Sequence, residues 1–241
     1  MTAANALAND ARSILEGGRK QETYIPTRRL TSQQFIDRFF DDANIGKFVS
    51  DQQRADEVYT SIFPQEGKEF SNVQGVHIYT DPTGTVLMNE RNMRSAFKRY
   101  SDFKNDEAGF NFYMNQEVGQ SVEITRRDAQ GRIVESRLRP MKVSDTISGK
   151  HQMFLHKHRD YIKSYDDFYD FVVYHELSHG KFRRKSGEST ADLELRINQE
   201  ALKRLIQEKQ SFDPATQGMV LNRKNIDCLL YTSDAADDTC C

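Results

Sequence analysis

The chain has 241 residues, 37% of them hydrophobic and 29% charged, with 15 Phe, 10 Tyr and no Trp. That length supports one good core or two small ones without disulfides or a structural metal, and the composition excludes a disordered chain. The formal charge of −2 mixes both signs, so charge alone implies neither a nucleic-acid partner nor an anionic membrane.

Met1 to Glu16 carries Asp10 and Arg12 among its apolar positions. It lacks the basic start and continuous apolar run of a signal peptide, no later stretch is apolar enough to span a bilayer, and the expected location is cytoplasmic. Residues 2–17 and 31–63 show helical spacing, as in Phe35, Phe39 and Phe40 followed by Ile45 and Phe48. Thr31-Ser32 is placed to cap the second segment, and Gly17-Gly18 and Pro26 separate the two. Residues 1–70 therefore read as an N-terminal helical subdomain. Its basic pairs, Arg19-Lys20 and Arg28-Arg29, are the size of a phosphate contact but read more simply as solvated charge.

From about Val73 the apolar period becomes two. Val76 and Ile78, then Val86 and Met88, flank Asp81-Pro82-Thr83-Gly84, which predicts a hairpin. A helical stretch near 91–103 precedes a second hairpin, Val122 to Ile124 and Arg132 to Val134 around Asp128-Ala-Gln-Gly131. Gln152 to His158 alternates and predicts one more strand, for a small, mostly antiparallel sheet of about five. Ser164 with Asp167 has the form of a capping box, opening a helix whose apolar side includes Phe168, Phe171, Val172 and Val173. A last helix is predicted from about Gly187 to Lys209. The fold class is α+β, with one domain over 71–212.

His175-Glu176-Leu177-Ser178-His179 lies inside the capped helix. Histidines four apart share one face, where both imidazoles reach one ion. Glu176 projects about a quarter turn away, placed to hold a metal-bound water rather than to join the coordination set. Zinc lowers that water's pKa to about 7, so Glu176 can take its proton and later return it to a leaving amine.

None of the six histidines (77, 151, 156, 158, 175 and 179) follows His179, which excludes a third imidazole from downstream within the residues at hand. The acids that follow are Glu188, Asp192, Glu194 and Glu200. If the two helices form an antiparallel hairpin centred near Arg184, Glu188 falls level with His179 and Asp192 level with His175. Glu188 is then the third ligand. Glu194 is the alternative, because it lies within the apolar stripe of Ala191, Leu195, Ile197, Ala201, Leu202, Leu205 and Ile206, where an unpaired carboxylate is costly. Asp192 also reads as an N-terminal charge favoured by the helix dipole. His156 and His158 share a face of the predicted strand; they, Tyr161 and Tyr174 are candidates to bind an oxyanion, each with a plain packing role as alternative.

The sequence here resembles the gluzincins, zincin metalloproteases in which His-Glu-x-x-His is followed on a second helix by Glu-x-x-x-Asp or Glu-x-x-Ala-Asp. Glu188-Ser-Thr-Ala191-Asp192 fits the second form. The resemblance spans about 150–210 and implies a zincin-like fold, an active-site helix followed by a ligand helix. It implies a zinc ion held by His175, His179 and Glu188, with Asp192 orienting His175. The implied activity is hydrolysis of a protein or peptide substrate with Glu176 as general base. A second reading keeps the fold but works by binding, as a regulatory or phage-encoded module. The retained Glu176 favours the enzyme, and three ligands with an open position disfavour a purely structural zinc.

All three cysteines (Cys228, Cys240, Cys241) lie in the last 14 residues. Residues 228–238 resemble a translated sequencing adapter rather than a gene, so 228–241 reads as an artefact and 213–227 as the start of an interrupted C-terminal region. Without Asp234, Asp237 and Asp238 the formal charge moves from −2 to +1. The remaining body has no cysteine, so disulfides and thiolate metal sites drop out.

Overall fold

A computed structural model describes residues 24–64, 73–78 and 83–211. Pro26–Leu205 forms one compact unit; of the other, Met1–Ile25 with Ile206–Cys241, only 24–25 and 206–211 are among the described residues. The helix expected at 2–17, the Asp81-Pro82 turn and the tail from 213 lie outside them.

A 3-10 turn, Thr27–Arg29, leads into α1 (Ser32–Ala43), whose start is closed by a reciprocal capping box of Thr31 and Gln34. The segment 31–63 is not continuously helical. Asn44 turns left-handed (φ 51), its N–H bonding back to Phe40, and the chain leaves as strand β1 (Ile45–Val49) before α2 (Gln52–Ile62). Asn tolerates that conformation with little strain. Ile45 and Phe48, read above as helical repeats, are buried strand residues, as is Val49.

Strands β2 (Gly75–Ile78) and β3 (Gly84–Met88) pair antiparallel, as the sequence predicts, and β1 joins β3 in parallel, giving the order β1-β3-β2. β1, from the segment expected to form a separate helical subdomain, thus shares a sheet with strands beyond residue 70. Central β3 is buried along its whole length, because both faces are covered. Val49, Ile78 and Leu87 pack with Ala55 and Val58 of α2. On the other face Phe48 stacks on Phe35 of α1 at 3.7 Å.

Helices α3 (Glu90–Phe103) and α4 (Glu107–Met114) lead to a separate ribbon, β4 (Glu117–Arg127) paired antiparallel with β5 (Ile133–Lys142). Among the described residues there are two small sheets, of three and two strands, not one of five. A 3-10 turn (Val143–Asp145) then opens α5 (Ile147–Lys157), capped by Thr146. The strand expected at 152–158 is this helix: Thr146 accepts the N–H of Gly149 at 2.9 Å, and Gln152, Phe154, Leu155 and His156 are buried around it. A run this short is compatible with either period, and the cap decides it.

Helix α6 (Tyr165–His179) begins at the predicted Ser164–Asp167 capping box and buries 11 of its 15 residues. It is a core helix, buried nearly all round, with Asp167, Asp170, His175 and Ser178 among its buried residues. Its first half is strapped by the Thr27 turn: Thr27 N–H donates to buried Asp170 at 2.7 Å, and Arg28 and Arg29 pair with Asp166. The expected final helix is α7 (Thr190–Ser211). Among the described residues no helix is long and apolar enough to cross a membrane.

Candidate metal centre

His175 and His179 occupy the last turn of α6, and their Nε2 atoms face each other at 3.2 Å. Glu194 of α7 brings a carboxylate oxygen to 3.3 Å from the first and 3.9 Å from the second. These three are the one group among the described residues whose donor atoms converge as metal ligands would. The spacing fits the ion: tetrahedral zinc with bonds of about 2.0–2.2 Å places its donors about 3.4 Å apart.

The helix that carries Glu194 also orients His175. His175 Nδ1 donates to the Asn198 side-chain oxygen at 2.9 Å, both groups buried. That bond fixes the tautomer, so in the neutral ring the Nε2 lone pair points at a second imidazole nitrogen and a carboxylate oxygen. Three lone pairs meeting at one point repel unless a proton or cation sits among them.

The electrostatics register this crowding. Burial opposes the charged form of His175, yet the Glu194 hydrogen bond, the charges of Glu176 and Glu194 and the Asn198 contact outweigh it and raise its pKa. His179 is lowered, by burial and then by His175. The hydrogen bond from His175 lowers Glu194 against its burial. Glu176 is raised, first by burial and further by the nearby Glu194 charge.

Strand β2 lies against this site. His77 Nδ1 is 3.3 Å from the Glu176 carbonyl oxygen. Gly75 leaves room for the Glu176 side chain: a Cβ there would stand 3.0 Å from Glu176 Cγ and 3.3 Å from Met88 Sδ. The His151 ring of α5 stands edge-on to His175, centroids 5.9 Å apart. Burial lowers His77 to about 4, and burial with the His175 charge lowers His151 to about 3, so both are neutral at pH 7.

Glu188 is not at this point. Its carboxylate is gripped by Arg196 at 2.6 and 2.8 Å and accepts the Lys185 N–H at 2.8 Å, which hold its pKa at about 2. Asp192 does not reach His175 either; it accepts from Ser189 at the start of α7, the helix-end role weighed for it above. The cause is the centre of the helical hairpin, which lies between Ser186 and Gly187 rather than near Arg184. Gly187 takes the left-handed φ of 77 there, while Gly180 stays helical at φ −65. The shift of about three residues moves Glu194 to the level of His179 and Asn198 to that of His175. The apolar stripe had marked Glu194; Asn198, four residues on, has the same phase and was missed.

Three of the four oxyanion candidates are engaged elsewhere. His156 bonds Glu107 at 2.9 Å and stacks on Phe110, and His158 packs on Phe154. Tyr174 is fully buried, its ring under the Arg204 guanidinium at 4.9 Å. Compared with protein-family models, curated proteins and solved structures, the chain matches none.

Proposed function

We propose that the chain is a zinc-dependent peptidase of the gluzincin type, with His175, His179 and Glu194 as metal ligands and Glu176 as general base. The observation that carries this reading is the convergence of three lone-pair donors from two helices, with a further carboxylate, Glu176, beside them and outside the set. Zinc held there supplies a Lewis acid and a water of pKa near 7. The protein's own groups do the rest. Asn198 holds His175 in the tautomer that turns Nε2 inward. Burial raises the proton affinity of Glu176, which suits a group that takes a proton from water and returns it to the leaving amine. Among the described residues β2 is one of the two edge strands of its sheet. Its position next to Glu176 suits an extended peptide substrate added as a further strand.

The test is metal analysis combined with cleavage of a peptide library. The protein should hold about one zinc per chain, lost in His175→Ala and His179→Ala. Glu176→Gln should keep zinc and fold while cleavage falls at least about 10²-fold, because the amide cannot accept the proton. Parent protein that takes up no zinc at neutral pH ends the reading. Zinc-loaded parent that cleaves nothing yet captures a specific partner replaces it with a binding module.

A further inference from the structure

The β4–β5 ribbon stands apart from the metal centre and has its own unexplained surface. None of its residues whose burial is described is buried, and its strands of 11 and 10 residues reach roughly 35 Å at about 3.3 Å per residue. A two-stranded ribbon open on both faces is marginal in water, whereas three or more strands sharing an apolar face are not. Ile133, Val134 and Leu138 are 54%, 53% and 72% exposed, all on β5.

The two edges differ. β4 is irregular between Glu117 and Ser121, where Gly119 has φ 72. β5 offers Ile133 to Arg139 before Pro140, which has no N–H to continue a ladder. Among the described residues nothing pairs with that edge.

We infer that β5 pairs antiparallel with β5 of a second copy of this chain, about a two-fold axis at Ser136, joining two ribbons into one four-stranded sheet. The occupant follows from charge and apolar matching along the strand. In this register Ser136 faces its own symmetry mate, Glu135 faces the other copy's Arg137, and Val134 faces the other copy's Leu138. Each contact occurs twice, as a two-fold interface requires. Arg137 has no ion pair among the described residues, and Glu135, 3.4 Å from Arg126 on its own ribbon, comes to lie between two arginines. The two valines and two leucines form one apolar cluster around the serines.

Other registers lose this match. An axis at Glu135 or at Arg137 sets like charges opposite each other, which is destabilising across a sheet. Pairing β4 about Ile124 sets Glu123 against Thr125 and Val122 against Arg126, with no charge pair. Backbone pairing and the apolar cluster supply the affinity, and the charges select the register. So narrow an interface makes the association reversible and concentration-dependent.

Sedimentation equilibrium of the full chain should show mass rising with concentration from 27.9 kDa toward twice that value. Glu135→Arg alone and Arg137→Glu alone should each weaken the dimer at least about 10-fold, since each sets like charges opposite at both contacts. Their equimolar mixture should dimerise again, because one copy then presents two arginines to two glutamates of the other. Circular dichroism of each variant separates lost pairing from lost folding. In a chain with Cys228, Cys240 and Cys241 changed to Ser, Ser136→Cys should oxidise to a covalent dimer and Ser121→Cys should not. A mass fixed at 27.9 kDa at all concentrations, or a dimer that ignores both charge changes, overturns the proposal.

Discussion

The helical hairpin of α6 and α7 and the ribbon of β4 and β5 are both antiparallel pairs whose connections contain a glycine at φ 77, Gly187 in one and Gly131 in the other. What fixes their registers differs. In the ribbon five residues close the turn on themselves: Asp128 accepts from the N–H groups of Gln130, Gly131 and Arg132 at 2.9 to 3.0 Å. Such a turn sets its register locally, from side chains adjacent in sequence. Between α6 and α7 lie residues 180–189, long enough for the second helix to slide by a turn. There the register follows from what the core accepts: Ile197, Ala201, Leu202 and Leu205 buried, with Asn198 turned to His175. A short loop thus dictates its hairpin, while a longer one leaves to packing which acid meets His175 and His179.

The sharpest way to break this comparison is to remove the two acids in turn. Glu194→Ala should lower zinc affinity at least about 10²-fold, more than the loss of a supporting partner, whereas Glu188→Ala should leave zinc content unchanged. Competition with a chelator of known affinity reads both. Zinc loss in Glu188→Ala with Glu194→Ala unaffected would restore the register centred near Arg184.

Asn198 comes next in size. Asn198→Ala frees the His175 ring and should cost about 10- to 100-fold in zinc affinity, the usual scale for a supporting partner. Asn198→Asp should recover most of it, since a carboxylate also accepts from Nδ1. If Asn198→Ala binds zinc like the parent, packing alone orients the ring.

The smallest expected effect lies in the ribbon. Gly131→Ala places a Cβ at φ 77, a strain of roughly 1–2 kcal/mol. Because the turn is exposed and local, thermal unfolding should shift by a few degrees and zinc content not at all.

Legibility divided along the same line. The cap at Thr31, the capping box at Ser164, the two hairpins and the His175–His179 pair could be read because each depends on neighbours within about four residues. β1 was hidden, since Ile45 and Phe48 fit a helical period until Asn44 breaks the chain direction. Residues 152–158 alternated over too short a run to exclude a helix. His77 and His151 had no local signal at all: one sits on a strand and the other on a helix far from the motif in sequence, and only folding carries them to it.

By itself the sequence determined an α+β chain with two histidines one turn apart on a capped core helix and a glutamate between them, because helical geometry fixes that arrangement wherever the helix lies. It marked two acids on the next helix without choosing between them. The tertiary structure brings Glu194, not Glu188, to His175 and His179. Arg196 claims Glu188, Gly187 turns the chain three residues later than symmetry about Arg184 requires, and the apolar stripe of α7 rotates Glu194 and Asn198 inward together. These are competitions among residues from separate elements, and their outcome depends on which side chains the core can bury.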